Sequence, residues 1–139
     1  MIRRTSDPTW DYNCIAHAAG EDDRWWWPDP TGGAYWPNGV ACEVTLEAFE
    51  EAYATIGYES CADGDFEPGF EKIVLYAKGG SPTHAARQLV AGTSAGNWTS
   101  KLGREIDVEH DSPHALVKEH PALQNEYGDP LRYLRRRIT

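Results

Sequence analysis

Residues 72–77, Lys-Ile-Val-Leu-Tyr-Ala, constrain the fold of this chain more than any other segment. The run is almost continuously apolar, which is typical of a strand that is buried on both faces. Such a strand belongs in the centre of a sheet. Shorter runs predict a second strand at 58–61 and a final edge strand at 131–134, whose arginines face solvent.

Three segments carry the signals of helices. Thr45 opens the clearest one, in which apolar side chains recur at helical spacing until Gly57 ends it. A shorter helix is predicted from Asn13 to about Ala19, and a third from 112 to about 118. Between the first two, residues 20–42 contain three Pro and four Gly among several Trp and Tyr, and predict a long loop folded on its own aromatic rings. These elements indicate an α+β fold.

The composition limits the classes of protein to which the chain can belong. A length of 139 residues fits one domain spanning 1–139, and the net charge of −9 argues against binding to nucleic acid or to an anionic membrane. No apolar run is long enough to span a bilayer. Three widely spaced cysteines indicate reduced thiols in a cytoplasmic protein; if the chain is instead an effector exported without a leader, Cys42 and Cys61 are the pair free to form a disulfide.

Charge is distributed unevenly along the chain. Residues 43–71 hold nine acidic side chains and no Lys or Arg, whereas residues 132–137 hold four arginines. We interpret the basic tail as a solvated terminus or as an intramolecular complement of the acidic stretch. The acidic stretch is a solvated helix face or, alternatively, the binding surface for a basic protein partner.

Cys14 and His84 are the strongest candidates for chemistry. Cys14 stands in the first turn of the predicted N-terminal helix, where unpaired N–H groups and the helix dipole favour a thiolate. A histidine brought beside it by the fold would complete a nucleophile–base pair. The alternative for Cys14 is a small buried hydrophobic residue. A metal site built from Cys14, His17, His110 and His114 fits no strong spacing motif, so no metal and no cofactor is predicted.

The segment that contains His84 allows two interpretations. Local propensity favours a helix over 81–92, with a Ser cap, Pro at the first position and a Gly stop. Alternatively, the segment is a strand that turns back through 91–96 and pairs with residues 97–102. The second interpretation gives a hairpin over 81–103 that carries His84 near its open end.

The cysteine at the start of a helix, the histidine segment 84–89 and the returning segment 98–103 together resemble the papain-like superfamily in its small NlpC/P60- and CHAP-like form, including uncharacterised bacterial proteins of that type. Residues 106–110, 127–128 and 131–134 are similar to this group as well. The resemblance implies a short N-terminal helix that carries Cys14 and packs on an antiparallel sheet of about five strands. It also implies a polar residue on the returning strand, at Ser100, that orients the histidine.

These observations combine into one hypothesis about the function. Cys14 acts as nucleophile, His84 as base and Ser100 as orienting residue in a thiol hydrolase or acyltransferase that acts on a peptide or other amide bond. Asp107, Glu109 and His110 remain alternatives for the orienting role. Four residues are assigned to substrate binding, with Asn13 and Tyr12 as donors to an oxyanion and two tryptophans as an aromatic wall: Asn13, Tyr12, Trp26 and Trp98. The alternative is a non-catalytic papain-like domain that binds a peptide, a glycan or a basic protein.

Overall fold

The computed structural model describes residues 1–102, 106–119 and 121–138. A single antiparallel sheet of seven strands dominates this part of the chain, in the order β1-β6-β5-β4-β3-β7-β2. The strands are β1 (Ile2–Arg4), β2 (Glu59–Cys61), β3 (Phe70–Lys78), β4 (Ser81–Gln88), β5 (Trp98–Lys101), β6 (Asp107–His110) and β7 (Asp129–Arg137). As the apolar run predicted, β3 lies inside the sheet, between β4 and β7.

The expected fold, a short helix that carries Cys14 on a sheet of about five strands, is wrong. Over the described residues the sheet has seven strands, and the four α-helices beside it are short. The two strands that the sequence did not predict are β1, three residues long, and β6, which reads Asp-Val-Glu-His. All four residues of β6 are nevertheless buried, because Tyr12 pairs with Asp107 and Arg3 pairs with Glu109. Because its buried side chains are polar and paired, β6 contains no apolar run from which a strand could be predicted.

The helices are α1 (Cys14–Ala18), α2 (Leu46–Ala54), α3 (Pro113–Lys118) and α4 (Pro121–Tyr127). The predictions for α2 and α3 are confirmed together with their caps, because Thr45 accepts from the N–H of Ala48 and Ser112 accepts from that of Ala115. The sequence did not predict α4.

The ambiguous segment is a strand, contrary to its helix propensity. β4 hydrogen-bonds to β3 on one side and to β5 on the other, and Ala85 and Ala86 are fully buried on its two faces. Burial between two neighbouring strands outweighs the preference of alanine for helices. Gly103, the last residue of the predicted hairpin, lies outside the described residues.

The sheet separates two apolar cores. On one face, Leu75 and Ala85 pack with α1, α2 and the loop of residues 20–42, which we call the Trp-rich loop; we call this face the α1 face. On the other face, Tyr76 and Ala86 pack with residues of α3 and α4; we call this the α4 face. Alternate residues of β3 therefore serve different cores, which explains why its sequence is apolar throughout.

The basic tail complements the acidic stretch within the molecule. Ion pairs join Arg132 to Glu50, Arg135 to Glu59 and Glu67, and Arg136 to Glu71. These arginines stand on β7, so the contacts run across the sheet to β2, β3 and α2. Across the described ranges, no helix is long and apolar enough to cross a membrane.

Candidate functional site

A cleft of about 440 Å³ opens at the start of α1. Three aromatic rings, two carboxylates and one thiol line it, and we call it the aromatic cleft: Cys14, Trp25, Trp27, Asp29, Glu126 and Tyr127. No Lys or Arg stands among the described residues of its lining. A cleft of this size and character suits a small ligand or a single side chain of a larger one.

Asn13 attaches the Trp-rich loop to α1. Its side-chain oxygen accepts from the N–H of Ala16 (3.1 Å) and from the N–H of Trp26 (3.1 Å), while its amide nitrogen donates to the carbonyl of Trp26 (2.8 Å). These bonds cap the helix and position the loop in one step. Asn13 borders the cleft, but its amide nitrogen donates to the carbonyl of Trp26 and so holds the loop in place. This contact differs from the predicted role of Asn13 as a donor to an oxyanion.

The loop sends alternate tryptophans in opposite directions. Trp26 is only 1% exposed and packs against Tyr35 and Tyr53, with ring centroids 5.0 and 6.0 Å away. Its two neighbours, Trp25 and Trp27, are half-buried and line the cleft. Trp26 was predicted to bind substrate, but the structure assigns it to the core. The alternation of an extended segment would have suggested this division once one of the three rings was known to be buried.

Burial controls the chemistry of Cys14. The side chain is 8% exposed, and burial raises the pKa of its thiol to about 11, although the backbone N–H groups of Ala85, Ile15 and Cys14 itself act in the opposite direction. Burial therefore opposes the thiolate predicted at the helix start, because the desolvation of the charged form outweighs the stabilisation from the N–H groups.

The sheet separates His84 from Cys14. The His84 ring is completely buried on the α4 face, where it stacks on Tyr127 at 4.3 Å and 11° and meets the edge of Tyr76 at 5.1 Å. Cys14 packs on the α1 face with Ala85, the residue that follows His84. His84 Nδ1 has no hydrogen-bond partner among the described residues. The structure thus does not assemble the predicted nucleophile–base pair.

Ser100 does meet His84, with 3.0 Å between Ser100 Oγ and His84 Nε2. Ser100 Oγ also lies 2.8 Å from Nε2 of His110, one of the alternatives for the orienting role. The other two alternatives are engaged elsewhere, Asp107 by the hydroxyl of Tyr12 and Glu109 by Arg3 and Asn97. The histidine therefore has an orienting partner, but that arrangement lies on the far side of the sheet from the thiol.

The two remaining predicted binding residues also have structural contacts. Tyr12 donates to Asp107 Oδ2 at 2.7 Å and stacks on His17, away from the cleft lining. Trp98 is 1% exposed and belongs to the core of the α4 face. Large aromatic residues are most often buried for packing, and spacing alone does not distinguish the exceptions.

Sequence reasoning did not assign five side chains of the cleft: Trp25, Trp27, Asp29, Glu126 and Tyr127. Asp29 lies in a loop turn in which Thr31 and Gly33 bond to its carboxylate, and Glu126 and Tyr127 end a helix that was not predicted. Gly128 was the available signal. Its φ is +75°, and a Cβ there would stand 2.0 Å from the carbonyl oxygen of Ala77. A glycine in this position is a typical helix stop.

The described residues form no group of three or more His, Cys, Asp or Glu that could hold a metal ion. His17 bonds to Thr99 at 2.9 Å on the α1 face, whereas His110 lies on the α4 face. The four-residue metal site considered from the sequence is therefore not formed.

Comparison with known proteins gives one match. No curated protein and no solved structure matches the chain. A family model described as "Domain of unknown function (DUF7689)" matches residues 3–135, which is nearly the whole sequence. The match adds no activity or substrate to the geometry described above, but it establishes the relationship: the chain belongs to the DUF7689 family.

Proposed function

We propose that this protein is a binding module whose aromatic cleft takes a positively charged peptide side chain, that of lysine or arginine. The observation that carries the proposal is the lining of the cleft, in which three aromatic rings stand beside two carboxylates and no described cationic residue. Aromatic walls hold the aliphatic stem of such a side chain, and the carboxylates complement its charge.

Asp29 is prepared for this role. Its carboxylate accepts from the N–H and the hydroxyl of Thr31 (2.9 and 2.7 Å) and from the N–H of Gly33 (3.2 Å). These hydrogen bonds, with that of the Thr31 hydroxyl the largest contribution, lower the pKa of Asp29, so the group is ionised near pH 7. A carboxylate held in one orientation costs less entropy when it pairs with a ligand.

The Trp-rich loop already contains an example of this recognition. Arg24 places its guanidinium 3.6 Å from the ring centroid of Tyr35. A cation over an aromatic face contributes about 0.5–1 kcal/mol at an exposed site and more where water is excluded. Trp25, Trp27 and Tyr127 present the same kind of surface to a ligand in the cleft.

The test compares three capped tripeptides, Ala-Lys-Ala, Ala-norleucine-Ala and Ala-Glu-Ala, by titration calorimetry and tryptophan fluorescence. We expect the lysine peptide to bind most tightly, and Asp29→Asn and Glu126→Gln each to weaken it about threefold, with a steep dependence on salt. Asp7→Asn, which removes an exposed carboxylate outside the cleft, serves as the matched control. Equal affinity for the lysine and norleucine peptides would reject the proposal.

A second candidate is the thiol hydrolase or acyltransferase acting on an amide bond. It is favoured by the position of Cys14 in the lining of the cleft, with N–H groups around its sulfur. In this reaction His84 would take the thiol proton while the sulfur attacks the amide carbonyl, and the amine would leave with that proton as the thioester forms, with Ser100 in the orienting role; water or a second amine would then cleave the thioester and restore the thiol. The partition of Cys14 and His84 between two faces makes binding the better supported function. Turnover of a peptide amide that Cys14→Ser abolishes would reverse this order.

A further inference from the structure

A chain of hydrogen bonds links two buried histidines on the α4 face. His84 Nε2 lies 3.0 Å from Ser100 Oγ, which lies 2.8 Å from His110 Nε2, and His110 Nδ1 lies 2.8 Å from the carbonyl oxygen of Ser112. Burial lowers the pKa of both rings, so both are neutral near pH 7. A neutral imidazole has one N–H donor and one bare acceptor nitrogen.

The carbonyl of Ser112 determines the order of protons along this chain. A carbonyl oxygen only accepts, so His110 Nδ1 carries a proton and His110 Nε2 is bare. Ser100 must then donate its single hydroxyl proton to His110, and it accepts from His84. His84 therefore carries its proton on Nε2, and its Nδ1 is bare.

An independent observation agrees with this order. Within the part of the chain that the structure describes, His84 Nδ1 is the one nitrogen of the two rings that has no hydrogen-bond partner. In the opposite tautomer that atom would be a buried N–H without an acceptor, and Ser100 would have to donate one proton to two nitrogens. Both conditions are costly, because unsatisfied buried donors lose the full value of their hydrogen bond with water.

We propose that His110 is a positioning residue for the aromatic cleft: through Ser100 it fixes the tautomer and the ring orientation of His84, and the His84 ring supports Tyr127. The contact that transmits this effect is the parallel stack of His84 on Tyr127, at 4.3 Å and 11°. Thr83, which precedes His84 on β4, donates to the carbonyl of Tyr127 and fixes the same residue through its backbone. The role of Tyr127 in ligand binding rests on the proposed function, whereas the tautomers of the two histidines and the contact between His84 and Tyr127 do not.

The first test measures the tautomers in the full chain without any ligand, by long-range proton–nitrogen correlation NMR on protein with ¹⁵N-labelled histidine at pH 7. We expect His84 to be protonated on Nε2 and His110 on Nδ1, with exposed His114 as an internal reference for a ring in water. The same tautomer at both buried rings, or a proton on His84 Nδ1, would overturn the assignment even if no variant could be prepared.

The second test is the variant Ser100→Ala, because removal of the Ser100 hydroxyl should affect the two histidines differently. His110 should keep its proton on Nδ1, since the Ser112 carbonyl is unchanged, whereas His84 should lose its single tautomer and the ring signals of Tyr127 should shift. Affinity for the lysine peptide should fall about three- to fivefold, the value of one hydrogen bond. Ser60→Ala, which removes an exposed hydroxyl on β2, is the control.

The two readouts separate the two proposals. Unchanged Tyr127 signals in a folded Ser100→Ala protein would refute the positioning role of His110. If the Tyr127 signals shift in Ser100→Ala but the wild-type protein binds no lysine peptide, the positioning role is supported and the proposed function is rejected instead.

Discussion

The reactivity of Cys14 distinguishes binding from catalysis most directly. With a pKa of about 11 the thiol is only about 0.1% thiolate at pH 8, whereas a thiol with an unperturbed pKa of ~8.5 is about one quarter thiolate. Alkylation proceeds through the thiolate, so Cys14 should react roughly two hundredfold more slowly than an ordinary thiol, before its burial slows it further. The rate should rise about tenfold with each pH unit between 7 and 10 and reach no plateau in that range.

The assay is alkylation by iodoacetamide, followed for each cysteine by peptide mass spectrometry. Exposed Cys42 provides an internal standard in the same sample, and unfolding in guanidinium should bring Cys14 to a comparable rate. A rate for Cys14 that equals or exceeds that of Cys42 at pH 7, and that His84→Ala abolishes, would refute the reasoning. It would mean that the thiol and the imidazole meet in solution in spite of the sheet between them.

Three further predictions concern stability and charge. Gly128→Ala should lower the free energy of unfolding by about 3 kcal/mol in urea denaturation, because it adds a clash with the Ala77 carbonyl to a positive φ, whereas Gly79→Ala, with a positive φ but open space, should cost about 1 kcal/mol. Burial lowers the pKa of His17 to about 4, so this residue should contribute a loss of up to about 3 kcal/mol in the free energy of unfolding as the pH falls from 6.5 to 4, in addition to the losses from buried His84 and His110; a His17→Gln protein that loses as much stability as the wild type would contradict this. Arg135→Ala should lower the free energy of unfolding only slightly, and less still in 1 M salt, because its partners are solvent-exposed carboxylates; a salt-independent cost would contradict the assignment.

The sequence predicted those elements whose signals are local. The caps at Thr45 and Ser112 and the apolar run of β3 were sufficient to locate two helices and an inner strand. β6 could not be found in this way, because its burial depends on Tyr12 and Arg3, which are about 100 residues away along the chain. For residues 81–88 the sequence left a helix and a hairpin strand open, and local propensity favoured the helix, because the burial between two neighbouring strands that decides for the strand is not visible in the segment itself.

The predicted pair of Cys14 and His84 is not assembled for a different reason: the sequence did not show to which face of the sheet His84 points. Successive residues of a strand face opposite sides, so a shift of one residue exchanges the faces of all its side chains. β3 and β4 change register beside Tyr76, which pairs with His84 while the next residue, Ala77, pairs with Pro82. Sequence spacing contains no information about such a shift. It could indicate that Cys14 and β4 meet, but not that His84 points away from their contact.

That division of faces has a consequence for any ligand in the cleft. The ligand would contact the thiol of Cys14 directly. His84 would affect the ligand only through the ring of Tyr127, which lines the cleft and stacks on the imidazole. The sulfur and the imidazole therefore affect binding by different routes. Cys14→Ser changes a wall of the cleft by one atom, whereas a change at His84 removes the support of another wall. For a binding module the second change should weaken the ligand more than the first, and for a thiol enzyme both should abolish turnover.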